Sequence, residues 1–126
     1  MVSVAGIVAV TAIGVIILFQ AGLAIGAPWG AAAWGGTHPG PLPSRFRLAS
    51  AFSIVILVAM AGVVAVRDGA ITSSLSVDII RTLAWIVAGY FFLGTIMNAI
   101  SRSRLERWWS PVSAVVATCV VIVAAS

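Results

Sequence analysis

Residues 48–66 read LASAFSIVILVAMAGVVAV, nineteen positions without a formal charge, closed by Arg47 on one side and Arg67 on the other. A helix rises 1.5 Å per residue, so about 20 apolar residues cross a hydrocarbon core roughly 30 Å thick. The β-branched content of this stretch would suggest a buried strand in water. Its length between two cations argues instead for a membrane-spanning helix. A barrel strand would alternate apolar and polar over about ten residues, whereas Ile54-Val55-Ile56-Leu57-Val58 is unbroken.

Outward from this block the pattern repeats. Residues 82–101 and 108–126 are also free of formal charge, with 20 and 19 positions, and residues 1–44 form a fourth such block of 44. The last is too long for one crossing and must hold a helix plus something else. Spans are predicted at about 3–25, 48–66, 80–100 and 110–125. The first lacks a basic n-region, and its apolar run is too long for a signal peptide. Ser110 is expected to cap the fourth span, with Pro111 in its first turn. The fold class expected is an all-α, integral membrane, antiparallel four-helix bundle forming a single transmembrane domain over residues 1–126.

The whole composition agrees. Of 126 residues, 62% are hydrophobic and 8% charged, and the mean hydropathy is +1.19. Ordinary soluble domains are roughly 45–50% apolar and about 25% charged. A disordered chain, a collagen-like chain and a normal water-soluble enzyme are excluded.

Orientation follows from the cations, which are all Arg. Four spans put Arg45, Arg47, Arg102, Arg104 and Arg107 on one side, and Arg67 and Arg81 on the other. Five against two predicts that loops 26–47 and 101–109 are cytoplasmic and both termini outside. The net charge of +4 is then mainly a topology signal. Nucleic acid is not an expected partner, since no basic face remains outside short loops.

The segment between the first two spans is unusual. Residues 25–44 contain five Gly, four Pro, Trp29, Trp34 and His38, and no formal charge. Regular helix is forbidden through most of it, and a solvated linker would be richer in Ser, Lys and Glu. An ordered loop at the membrane interface is expected. It either caps the bundle or dips inward to mark a site, because irregular backbone at membrane depth needs cover from protein or a wet cavity.

The words Gly26-Ala-Pro-Trp-Gly30, Gly35-Gly36 and Pro39-Gly40-Pro41-Leu42-Pro43 with Arg45 resemble a family of small, uncharacterised bacterial four-span membrane proteins. Leu93-Gly-Thr-Ile-Met-Asn98 and the Glu106 to Pro111 stretch are similar too. The resemblance implies a shared fold, a shared special loop and a bacterial plasma (inner) membrane location. It implies no activity, substrate or catalytic residue.

Candidate ligand- or lipid-binding residues are Gln20, Trp29, Trp34, His38, Arg45, Arg47, Asn98 and Arg102. Gln20 and Asn98 are the amides within spans, both near the end that bears the special loop. Such groups seek partners across helices, at about 0.6–2 kcal/mol each. The Arg and Trp residues suit anionic headgroups, at about 1 kcal/mol per Arg near the surface. Gly14, Gly22, Gly26 and Gly30, spaced at multiples of four, predict a smooth strip for helix packing or dimerisation.

No catalytic residue, metal ligand or cofactor is assigned. The spans hold no acid of the kind that proton-coupled export requires. Cys119 is alone, which leaves no disulfide or thiol pair, and one His with three scattered acids argues against a hydrolase or metal centre. The chain is expected to be a non-catalytic membrane component, oligomeric or accessory to a membrane protein partner, in contact with lipid. The alternative is a binding or transport module for a small amphipathic or anionic molecule, its site under loop 26–40 and floored by Gln20 and Asn98.

Overall fold

Ser3, Ser76 and Ser103 cap three helix starts through their side chains, while the start after Pro43 has no side-chain cap. In the computed structural model, which describes residues 2–126, α1 runs Val4–Ala24, α2 Ser44–Arg67, α3 Val77–Ala99, α4 Arg104–Arg107 and α5 Trp109–Ala125. Trp108 keeps right-handed helical backbone (φ −66°, ψ −19°), so α4 and α5 form one stretch, Arg104–Ala125. The described residues are all-α, with four helices long and apolar enough to cross a membrane. At 1.5 Å per residue the shortest, α1, is about 31 Å long.

The boundaries differ from those drawn between charges. α2 begins at Ser44, which puts Arg45 and Arg47 on its first turn, and α3 begins at Val77, three residues ahead of expectation. Helices extend past the hydrocarbon into the headgroup zone, where long cationic side chains reach water. Charges therefore bound the oil-embedded part of a helix, not the helix. Ser110 is not the cap of the fourth span. Ser103 holds that role: its Oγ accepts the Glu106 N–H at 3.1 Å, while the Ser110 hydroxyl donates to the Thr95 carbonyl at 2.9 Å.

Cross-helix bonds fix the topology. The start of α1 meets the end of α2 where Ser3 bonds Asp68. The ends of α2 and α5 meet where Arg67 donates to the carbonyls of Ala124 and Ser126. The end of α3 meets the start of α5 at Thr95 and Ser110. The bundle is thus up-down-up-down. α1 packs on α2 and α5, and α3 packs closely on α5 but more loosely on α2.

The core lies in the half remote from the special loop. Ala9, Ile13, Leu57, Val64, Val116 and Val120 are all buried there, with Phe91 at its edge. The outer face is apolar rather than polar, with Leu18, Val55, Ile86 and Phe92 exposed. A soluble bundle would invert that pattern.

Asp68 staples the remote end. Its carboxylate accepts the Ser3 N–H at 2.9 Å and the Ser3 hydroxyl at 2.5 Å, and Ser3 Oγ in turn accepts the Gly6 N–H at 3.0 Å. A negative group there also complements the positive end of the α1 dipole. Gly6 leaves the space: a Cβ on it would overlap Asp68 Oδ2.

The Gly strip is not a helix seam. α1 stops at Ala24, so Gly26 and Gly30 lie beyond it. Gly14 has open space beside it, and Gly22 makes room for the Trp29 ring. The period of four across these positions crosses a helix end, which periodicity alone does not reveal.

Candidate functional site

The loop after α1 is ordered by its own backbone. It folds into two short 3₁₀ turns, Gly30–Ala32 and Trp34–Gly36. The Gly30 N–H donates to the Gly40 carbonyl at 2.9 Å, closing a compact ring of chain. A Cβ on Gly30 would overlap the His38 carbonyl and stand 2.5 Å from that of Gly40. Trp34, Gly35 and Gly36 all have left-handed backbone (φ 52°, 69° and 74°). The conformation is free for Gly and costs Trp about 1–2 kcal/mol. Strain of this kind is held where surrounding structure over-determines it, commonly at ligand clamps.

α4 supplies the over-determination. Glu106 Oε2 accepts the Gly35 N–H at 2.8 Å, and the Ser103 hydroxyl donates to the Ala31 carbonyl. Gly36 lies so close to Ser103 that a Cβ would come within 2.8 Å of the Ser103 Cβ. The loop is thereby latched to the fourth helix across the end of the bundle.

Beneath the latch is a cavity of about 470 Å³, within the roughly 300–1,000 Å³ usual for small-molecule sites. Ala32, Ala33 and Trp34 roof it, and Ile16, Leu57 and Phe91 form its floor, where the packed core begins. The walls carry Phe19, Tyr90 and Trp109. Trp109 is in ring contact with Phe19, centroids 4.7 Å apart. Tyr90, Leu93 and Met97 line the cavity and are also exposed on the outer surface. The cavity therefore opens through the bundle's flank, beside the loosely packed α2–α3 pair.

The polar groups of this space are few. Asn98 Nδ2 donates to Ser113 Oγ at 3.4 Å, and Ser53 turns its hydroxyl back to the Ala49 carbonyl. Gln20 and Glu106 also line the cavity, and neither the Gln20 amide nor Glu106 Oε1 makes a hydrogen bond among the described residues. Among the described residues, Glu106 is the only one of the lining with a formal charge.

The structure brings together three of the eight sequence candidates. Gln20, Trp34 and Asn98 line one cavity. Trp29 lies outside it, stacked on Phe19 with centroids 6.0 Å apart. His38 pairs with Thr37 Oγ1 at 3.0 Å and packs against Phe46, which also takes the Arg45 guanidinium at 4.8 Å and the Trp34 ring at 4.9 Å. Arg47 Nε donates to the Ala24 carbonyl at 3.1 Å, capping the C-terminal end of α1. Arg102 is exposed on the linker, where its carbonyl accepts from Arg107 at 3.4 Å.

The eight sequence candidates do not include Glu106, Ser103, Tyr90, Phe91 or Trp109, all of which belong to the cavity or its latch. One signal was available: Ser103-x-x-Glu106 has the spelling of a capping box. It would have marked Ser103 as a helix start and Glu106 as an ordered side chain, though not its reach to Gly35. The aromatic residues gave no signal, because in a span rich in large apolar side chains nothing separates a cavity wall from a lipid-facing ring.

No family model, curated protein or solved structure matches the chain.

Proposed function

We propose that the chain is a non-catalytic, multi-pass protein of a bacterial plasma membrane that holds one small amphipathic molecule under the loop of residues 26–40. The single observation behind this reading is the lidded cavity in which Gln20, Asn98 and Trp34 converge. A purely structural accessory subunit has no need of a void at one end of its bundle. Voids cost packing energy, and the strained Trp34 roof adds to that cost. The flank opening suits a molecule arriving from the bilayer, with an apolar tail between α2 and α3 and a polar head under the loop.

The non-catalytic reading rests on the chemistry of the lining. It holds amides, hydroxyls and one carboxylate, while His38 and Cys119 are not part of it. No nucleophile there is paired with a base. The cytoplasmic placement of the loop end rests on the Arg count: five lie at that end and two at the other. The likeness of the loop's Gly/Pro/Trp words to small bacterial four-span proteins supports the choice of membrane.

Native mass spectrometry from mild non-ionic detergent tests the proposal. The wild type is expected to carry one retained small amphiphile per chain. Gly94→Leu should carry none, since Gly94 lines the cavity and has Ser113 Oγ, 3.8 Å away, as the nearest neighbour of an added Cβ. A wild type without bound mass, or equal retention in the variant, overturns the reading.

A further inference from the structure

We infer that the polar head of the occupant is a cation, of the alkylammonium class, held between the Glu106 carboxylate and the aromatic rings of the cavity. The inference rests on the binding reading above and adds the charge sign of the ligand.

Two independent features point the same way. The first is charge. Of the seven Arg residues, none lines the cavity, while Glu106 does. The other cations at this end are engaged elsewhere or exposed: Arg45 lies over the Phe46 ring, Arg47 is on the Ala24 carbonyl, Arg107 is on the Ser101 and Arg102 carbonyls, and Arg102 and Arg104 are exposed. Glu106 has one oxygen on the Gly35 N–H, and the other makes no hydrogen bond among the described residues. A fixed carboxylate repels an anion and attracts a cation.

The second feature is the wall. Phe19, Trp34, Tyr90, Phe91 and Trp109 line the same cavity. Aromatic faces attract cations through their quadrupole, and aromatic cages are a recurrent device for quaternary ammonium recognition. A cavity made only to hold an alkyl tail would be served as well by Leu and Ile. One made for an anion would present Arg, Lys or converging backbone N–H groups. Gln20 and Asn98 fit a head with an additional hydroxyl or carbonyl, and neither opposes a cation.

The test uses full-length protein in neutral maltoside micelles, read by native mass spectrometry and tryptophan fluorescence. The probes are decyltrimethylammonium, decanoate and decyl glucoside, each below its own micellar concentration, and phosphatidylethanolamine as the lipid source of the same ammonium chemistry. Decyltrimethylammonium should be retained at least tenfold more tightly than the other two decyl probes. Glu106→Gln should reduce it to the level of decyl glucoside. The Gln carbonyl oxygen can still accept the Gly35 N–H, so the roof stays latched in that variant. Tyr90→Leu should weaken the ammonium probe several-fold more than it weakens decyl glucoside, which keeps the test alive if Glu106→Gln does not fold. Retention of phosphatidylethanolamine that disappears in Glu106→Gln also supports the assignment and identifies a lipid headgroup as the source. Equal or tighter retention of decanoate, or an unchanged ammonium affinity in both variants, overturns the cationic assignment while leaving a binding cavity in place. Retention of no probe and no lipid overturns the binding reading itself.

Discussion

Gly6 and Asp68 form a pair whose mutational energies should change sign with background. In the wild type, a methyl at position 6 would overlap the Asp68 carboxylate, and all three nearest atoms belong to that one side chain. Gly6→Ala must therefore expel Asp68 and break its two bonds to Ser3, at 2.9 and 2.5 Å. Hydrogen bonds to a charged group are worth about 1.5–3 kcal/mol each. Ser3 and Asp68 are half-buried, so the low end applies, and the staple is worth about 2–4 kcal/mol. Ala is favoured over Gly within a helix by up to about 1 kcal/mol. The net for Gly6→Ala in the wild type is then a loss of about 1–3 kcal/mol. In an Asp68→Gly background the obstacle is gone, and the same substitution should stabilise by up to about 1 kcal/mol. Gly is chosen at 68 because the Asp68 Cβ itself would stand 3.0 Å from the new methyl. The assay is a double-mutant cycle by denaturant titration in mild micelles, followed by far-ultraviolet circular dichroism. Additive losses, with Gly6→Ala costing the same in both backgrounds, would refute the staple.

Two further outcomes bear on the loop. Gly30→Ala should open the ring of residues 30–40, because the clash is with the backbone carbonyls of His38 and Gly40 and no side chain can yield; loss of hydrogen-exchange protection at the residue 30 amide reads this directly. Ser103→Ala removes both the bond to Ala31 and the cap on the Glu106 N–H. It should cost about 1–3 kcal/mol and speed release of any bound amphiphile, measured as a faster off-rate with little change in helix content.

The four helices were legible because oil excludes charge, and the placement of seven Arg and three acids among 126 residues records that exclusion. The same record misplaced the start of α2, because Arg45 and Arg47 belong to its first turn rather than to the linker before it. Arg47 shows why: its long side chain reaches the Ala24 carbonyl, a service to the preceding helix that no local pattern announces. Order in the loop was legible from five Gly, four Pro and two Trp without charge. Its latch was not, since the Gly35–Glu106 bond joins residues 71 apart. Gln20 and Asn98 stood out because amides are rare within spans, but the sequence left cross-helix bonding and a pocket floor both open; they line the cavity above a floor of Ile16, Leu57 and Phe91. The carboxylate beside them was read as a linker charge, since its helix begins at Arg104 and not at residue 110.

The latch between the loop and α4 requires two crossings between them, which puts the loop and the α3–α4 linker at one face. Replacement of Cys119 by Ala, followed by single cysteines at Thr37 or Ser73, both exposed, tests it with an impermeant maleimide on intact cells. Cysteine at 73 should label from outside and cysteine at 37 only after the membrane is opened. Labelling of both positions from the same face would contradict the four-span fold and everything built on its loop end.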